Sequence, residues 1–308
     1  MLLNLASVLL TSVGVLLNKF ALGHLSPLQA AFLNAGFAAA FCVVPFTYLA
    51  ARSGGMPRIA SFRPLIIVAG LANAVALLLL FILLDIAGPI TVGFLGRLYI
   101  VFAVLIGVVW FRERHTALEY FLILLSVIGG GLFTLPDESL GGTGFAIALS
   151  YCLLFAVSNA LSKQALRPGA APGSAGRSSV TAVYSILIAN NLLAAALLAG
   201  ALVATRGAGG FGFDPSGAAF VAGSSLVGSV IGIYLFYQGL RFISFSRANL
   251  VRSVQPLFVA AASFPFFPVH LGPTMAAGAL LMIVSVVWLA ALSARKESDV
   301  APRNPPGK

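Results

Sequence analysis

Two arginines stand where charge is expensive. Arg97 and Arg252 each lie about eight residues inside a long apolar run, and neither run offers a neighbouring carboxylate. A charge at membrane depth costs ~2.5–3.5 kcal/mol on insertion scales. Such a residue has two uses. It can snorkel to an interface or bond the backbone carbonyls of a broken helix. Or it can face an aqueous cavity and bind an anion, because the planar guanidinium fork meets carboxylate or phosphate bidentately.

Polar neighbours accompany both. Tyr99 and Gln255 follow the arginines by two and three residues, and Asn34, Asn73, Asn159, Asn190, Tyr234, Tyr237 and Gln238 also interrupt apolar runs. In lipid, buried amides and phenols need partners from another helix or from a ligand. Asn73 and Gln255 are the better candidates for lining a cavity. For the others, helix–helix hydrogen bonding is an equal expectation. Pro256 and Pro265 are candidate kinks, and so a candidate gating hinge beside Arg252. Gly223, Gly228 and Gly232 read as close-packing positions rather than ligand sites.

Other chemistry is missing. Cys42 and Cys152 lie singly in apolar runs, His24, His115 and His270 fall at expected helix ends, and no acid lies mid-run. No phosphate loop, zinc-protease motif or nucleophile elbow occurs. The reading is therefore of a non-enzyme with no cofactor and no metal, and without a carboxylate relay for proton coupling.

The elements that hold these residues follow from composition. Hydrophobic residues fill 60% of the 308 positions and charged residues 8%, and mean hydropathy is +1.03. Soluble domains carry about 25% charge. A spanning helix needs ~20 apolar residues, and ten such runs can be drawn: 2–20, 26–50, 64–86, 90–110, 117–135, 143–162, 178–203, 217–240, 246–266 and 273–293. The tail 295–308 is polar and is expected to be disordered.

The net charge of +10 is distributed by topology, not gathered into a nucleic-acid stripe. With the N-terminus inside, the inner loops and tail hold fourteen basic residues, and Lys19 and Arg206 stand alone outside. The positive-inside rule places both termini in the cytoplasm and favours an even helix count.

The halves resemble each other. Asn18-Lys19 ends run 1 as Ser162-Lys163 ends run 6, while Leu80-Phe81, Arg97 and His115 recur at one offset as Leu235-Phe236, Arg252 and His270. Five helices per half is an odd number, so the halves insert with opposite orientation. The expected organisation is 1–136 as the first five-helix repeat, 137–294 as the second, and 295–308 as a cytoplasmic tail.

Ser246-Arg247-Ala248 followed by Pro256-Leu257-Phe258, and Arg112-Glu113-Arg114 followed by a further helix, carry a family resemblance. The first resembles the pattern opening helix 9, and the second the Gly-Glu-Arg turn after helix 4, of the drug/metabolite transporter superfamily in its EamA-like branch. Arg112 stands where that turn has glycine. The resemblance implies an all-α membrane protein of ten transmembrane helices, two inverted five-helix repeats around a central cavity, with alternating access and small-metabolite substrates. The expected function is a secondary transporter, an exporter, of a small organic metabolite bearing a carboxylate or phosphate. Export of amino acids or of neutral or aromatic drug-like solutes, with the arginines structural, is the alternative. From other classes, a non-transporting scaffold or a membrane-embedded enzyme stays open. The expected partners are the lipid bilayer and an anionic or zwitterionic small molecule, with no nucleic acid, in a monomer or homodimer of a bacterial inner membrane.

Overall fold

The computed structural model of the chain describes residues 2–52, 64–96, 98–113, 116–134, 141–166, 179–240, 248, 251–266 and 272–300. They form helices: α1 (Leu2–Ala21), α2 (Pro27–Arg52), α3 (Pro64–Leu95), α4 (Leu98–Val109), α5 (Ala117–Thr134), α6 (Gly141–Ala165) and α7 (Ser179–Arg206). Then come α8 (Pro215–Gly239), α9 (Gln255–Ser263) and α10 (Pro273–Val300). Six of these, α1, α2, α3, α6, α7 and α8, contain a stretch long and apolar enough to cross a bilayer.

The burial pattern is that of a protein solvated by lipid. Large apolar side chains such as Leu71, Leu105, Leu124, Leu192 and Trp288 face outward, while Asn4, Asn18, Asn34, Asn159 and Asn190 are buried. Hydrocarbon rewards apolar outer faces and drives amides inward to partners. Helix–helix ties follow this logic. The Ser158 hydroxyl donates to the Ala69 carbonyl (2.9 Å) and the Ser224 hydroxyl to the Gly14 carbonyl (2.9 Å). A Cβ on Gly14 would lie 3.1 Å from the Gly228 Cα, so these glycines let α1 and α8 touch backbone to backbone.

The packing partners respect the repeat. α2 packs on α7 and α5 on α10, which are matched positions of the two halves; α3 packs on α6 and α1 on α8, which exchange when the halves exchange. Contacts of that form are what a pseudo-twofold arrangement requires. Phe81 and Phe236, matched in sequence, are both fully buried.

Breaks in the helices matter most for the site. Gly88 adopts φ 74°, ψ 171° before Pro89. Only glycine holds such angles without strain. Asn73 and Gly96 line one small cavity, yet on a straight helix they would be about 34 Å apart. The chain therefore folds back at Gly88. This break was expected, but a second was not. The expected helix 90–110 is interrupted at Gly96, and α4 proper is Leu98–Val109.

The expected helix 246–266 is also shorter, and its cause is visible. Arg252–Val254 form a 3₁₀ turn in which the Gln255 N–H bonds the Arg252 carbonyl. Pro256 has no N–H to offer that carbonyl, so the bond falls to the residue before it, one position tighter. The expectation for 246, 247, 249 and 250 lies outside the described residues. The last helix departs in the other direction: α10 continues to Val300, so residues 295–300 of the expected disordered tail are helical, while 301–308 lie outside the described residues.

Two further features shape α8. Asp214 caps its start, accepting from the Ser216 (2.9 Å) and Gly217 (3.0 Å) backbone N–H groups, with His24 3.5 Å away. The Gly217 and Ser216 bonds, with the nearby imidazole, hold this carboxyl below its ordinary range. Midway, Ser225–Gly232 widen into a π-helical stretch.

Candidate functional site

The breaks and bends surround a central cavity of about 160 Å³. Its walls come from α1, α2, α3, α4, α6, α7 and α8 and from the turn that opens α9, so both halves contribute. Of the candidate residues, Arg252, Tyr99, Gln255, Asn73, Tyr237, Asn34, Asn159 and Asn190 line it. Tyr234 and Gln238 do not. The Gln238 amide donates to the Tyr234 hydroxyl (3.0 Å), and the Tyr234 ring stacks on Tyr184 with centroids 4.8 Å apart. Those two phenols form a helix–helix contact. Arg97 lies outside the described residues, between Gly96 and Leu98. Pro256 stands in the first turn of α9, and Pro265 in the turn that follows it.

Arg252 is 7% exposed. Its guanidinium lies 3.9 Å from the Phe236 ring centroid and 5.8 Å from that of Phe155. Cation–π attraction is strongest where water is excluded, so the two rings fix the arginine in place. Phe155 is itself a lining residue. Among the described residues that line the cavity, Arg252 carries the one formal charge, and no carboxylate is present.

The amides and phenols are organised across the halves. Asn159 on α6 donates to the Tyr99 hydroxyl oxygen (3.3 Å) and to the Phe155 carbonyl (3.0 Å). Its own carbonyl oxygen accepts from the Tyr237 hydroxyl (3.3 Å). One amide thus joins a phenol of the first half to a phenol of the second. Asn190 donates to Ser162 Oγ (3.0 Å), and Asn34 accepts from Ser229 (3.1 Å) at its side chain and from Ser225 (3.2 Å) at its backbone. The Gln255 carbonyl accepts from Ser12 (3.4 Å). The network is not complete: Asn34 Nδ2 and Asn190 Oδ1 find no hydrogen-bond partner among the described residues.

Several lining residues were not among the candidates: Thr11, Asn18, Tyr151, Asn191, Ser224 and Ser229. A signal existed for Tyr151, since Tyr151, Phe155 and Asn159 follow one another at i, i+4 on a single face of α6. Asn191 neighbours Asn190, and Asn18 was legible only as part of the repeat. The serines carried no signal beyond composition.

Comparison with known proteins agrees with this architecture. The model of the EamA-like transporter family matches residues 1–135 and 142–291. No curated protein sequence matches. A solved structure named "Crystal structure of protein" superposes with a TM-score of 0.72 at 16% identity, covering 96% of this chain and 97% of that one. At that identity the likeness concerns the fold.

Proposed function

Since the chain belongs to the EamA-like transporter family and is a membrane transporter of the drug/metabolite type, we propose that it exports a small organic metabolite bearing a carboxylate or phosphate. The observation that carries this reading is Arg252, a buried guanidinium on the wall of a polar cavity lined by both halves. A guanidinium held on a cavity wall presents a planar fork of donors that suits carboxylate or phosphate. The volume of about 160 Å³ lies below the ~300–1,000 Å³ of drug-sized sites, which favours a compact solute. In this reading Arg97, matched to Arg252 by the repeat, contributes a second cation from the first half. Alternating access would open the cavity to each side in turn, and the positive-inside reading places both termini in the cytoplasm of a bacterial cell.

The test is transport by the reconstituted protein, screening organic acids, amino acids and sugar phosphates in liposomes. Loss of a charge-assisted contact is worth ~1.5–3 kcal/mol, so Arg252→Ala should raise KM for the substrate about 10–100-fold. Arg97→Ala should act in the same direction. Uptake unchanged in both variants would remove the anion site.

One observation favours a second version. The rings of Tyr99, Tyr151, Phe155 and Tyr237 all line the cavity, as an aromatic or amino-acid solute would need. There the arginine would be held chiefly by Phe236. Competition by neutral aromatic analogues lacking any acid group would select it.

A further inference from the structure

The polar face of α6 does not stop at the cavity. Tyr151, Phe155 and Asn159 line it, and Lys163 is the next residue at i+4, one helical turn beyond. Its ammonium lies 3.4 Å from Glu113 Oε1 and 5.0 Å from the Phe111 ring centroid. Phe111 and Glu113 belong to the turn that ends α4, the helix whose first turn carries Tyr99. α4 and α6, from opposite halves, are therefore joined twice along one seam: at Tyr99–Asn159 on the cavity wall, and at Glu113–Lys163 beyond it.

This ion pair differs from an ordinary surface pair. The Lys163 and Glu113 side chains are 14% and 12% exposed. Partial burial strengthens the attraction and raises the cost of losing one partner. Glu113 is also fixed by its backbone, whose N–H returns to the Gly107 carbonyl (2.9 Å). Lys19, the repeat mate of Lys163, gives a useful contrast. Its ammonium bonds the Leu84 (3.1 Å) and Asp85 (3.2 Å) carbonyls, all within the first half. Separating the halves need not break that contact, but must break Lys163–Glu113.

We propose that the Lys163–Glu113 pair, with Phe111 against the lysine, is the gate on this side of the cavity. It is closed while the pair is made and opens when α6 and the end of α4 part. The proposal rests on the transporter reading but not on the substrate's charge.

The experiment needs no substrate. The full chain in liposomes carries a reporter, Leu187→Cys, at a lining position, and a membrane-impermeant sulfonated maleimide is applied to one side at a time. The buried native thiols of Cys42 and Cys152 set the background in the chain without the reporter. Lys163→Gln and Glu113→Gln should each raise labelling from the Lys163 side by roughly tenfold, within the usual span of conformational couplings. The charge-exchanged double variant, Lys163→Glu with Glu113→Lys, should return it to the parental rate. Lys19→Gln should leave labelling from the Lys163 side unchanged. Parental labelling in both single variants, or a double variant that labels as fast as they do, would overturn the gate. Should one single variant fail to fold, the other single variant, compared with the double, decides by the same readout. A negative result here leaves the anion site of Arg252 standing, and failed anion transport leaves this assay readable.

Discussion

Arg112 holds a backbone angle that its side chain disfavours, φ 54° at the end of α4. The left-handed region costs a non-glycine residue roughly 1–2 kcal/mol. The family turn that this segment resembles has glycine there, and the structure supplies the reason. Arg112→Gly should stabilise the protein by about 0.5–1 kcal/mol, the relief of strain less the extra freedom of glycine in the unfolded chain. Thermal unfolding in detergent would read this as a higher Tm, and an unchanged or lower Tm would show that the arginine side chain earns its place by another contact. At this scale the sequence revealed residue type better than direction. An asparagine in an apolar run must be buried among partners, and Asn34, Asn159 and Asn190 are. Which way a phenol points was not legible. Tyr234 and Tyr237 lie on one helix three residues apart, yet Tyr237 reaches the cavity and Tyr234 stacks on Tyr184. The π-helical stretch just before them widens the turn, so the face extrapolated from a straight helix drifts off phase.

Elements are decided by punctuation, and here some punctuation was readable and some was not. Gly88-Pro89 announced a break, because proline cannot continue the hydrogen-bond ladder and glycine admits the angle. Gly96 announced nothing, being one glycine among many in apolar helices. The 3₁₀ turn at Arg252 was readable in principle from Pro256, but only by following one missing N–H back to its acceptor. The consequence is functional: both arginine positions adjoin a departure from α-helix, Gly96 beside Arg97 and the 3₁₀ turn at Arg252 itself. Discontinuous helices are where transporters of this general construction place ligands. The Gly88 turn can be tested directly. A Cβ there meets nothing within 4 Å, so Gly88→Ala should cost about 1–3 kcal/mol from backbone strain alone. Gly36, in the regular helix α2, also has open space at its Cβ. Gly36→Ala should be neutral or stabilising by up to about 1 kcal/mol. Equal Tm values for the two variants would show that the Gly88 angle is not required for the fold.

For the whole molecule, composition was the most legible feature, because a bilayer constrains every residue at once. The two-half organisation was readable from Phe81 and Phe236 and is seen again in the exchanged pairs α3–α6 and α1–α8. The cavity was not, since no sequence pattern states which buried polar groups share one space. That cavity sets the energetics of transport. Its described lining residues include a guanidinium and no carboxylate, and carboxylates are the usual proton carriers of coupled transporters. In the proposed anion-export reading, a monoanion leaving a cell whose interior is negative is driven by the membrane potential, at about 2.3 kcal/mol per charge per 100 mV. That corresponds to roughly a fifty-fold concentration ratio at equilibrium. In proteoliposomes with a potassium-diffusion potential, flux of the anionic substrate should follow the sign and size of the potential. A pH gradient imposed at zero potential should leave it unchanged, provided the substrate is fully ionised on both sides. Flux that instead follows the pH gradient would require a proton carrier at the cavity, and would overturn potential-driven export by this chain.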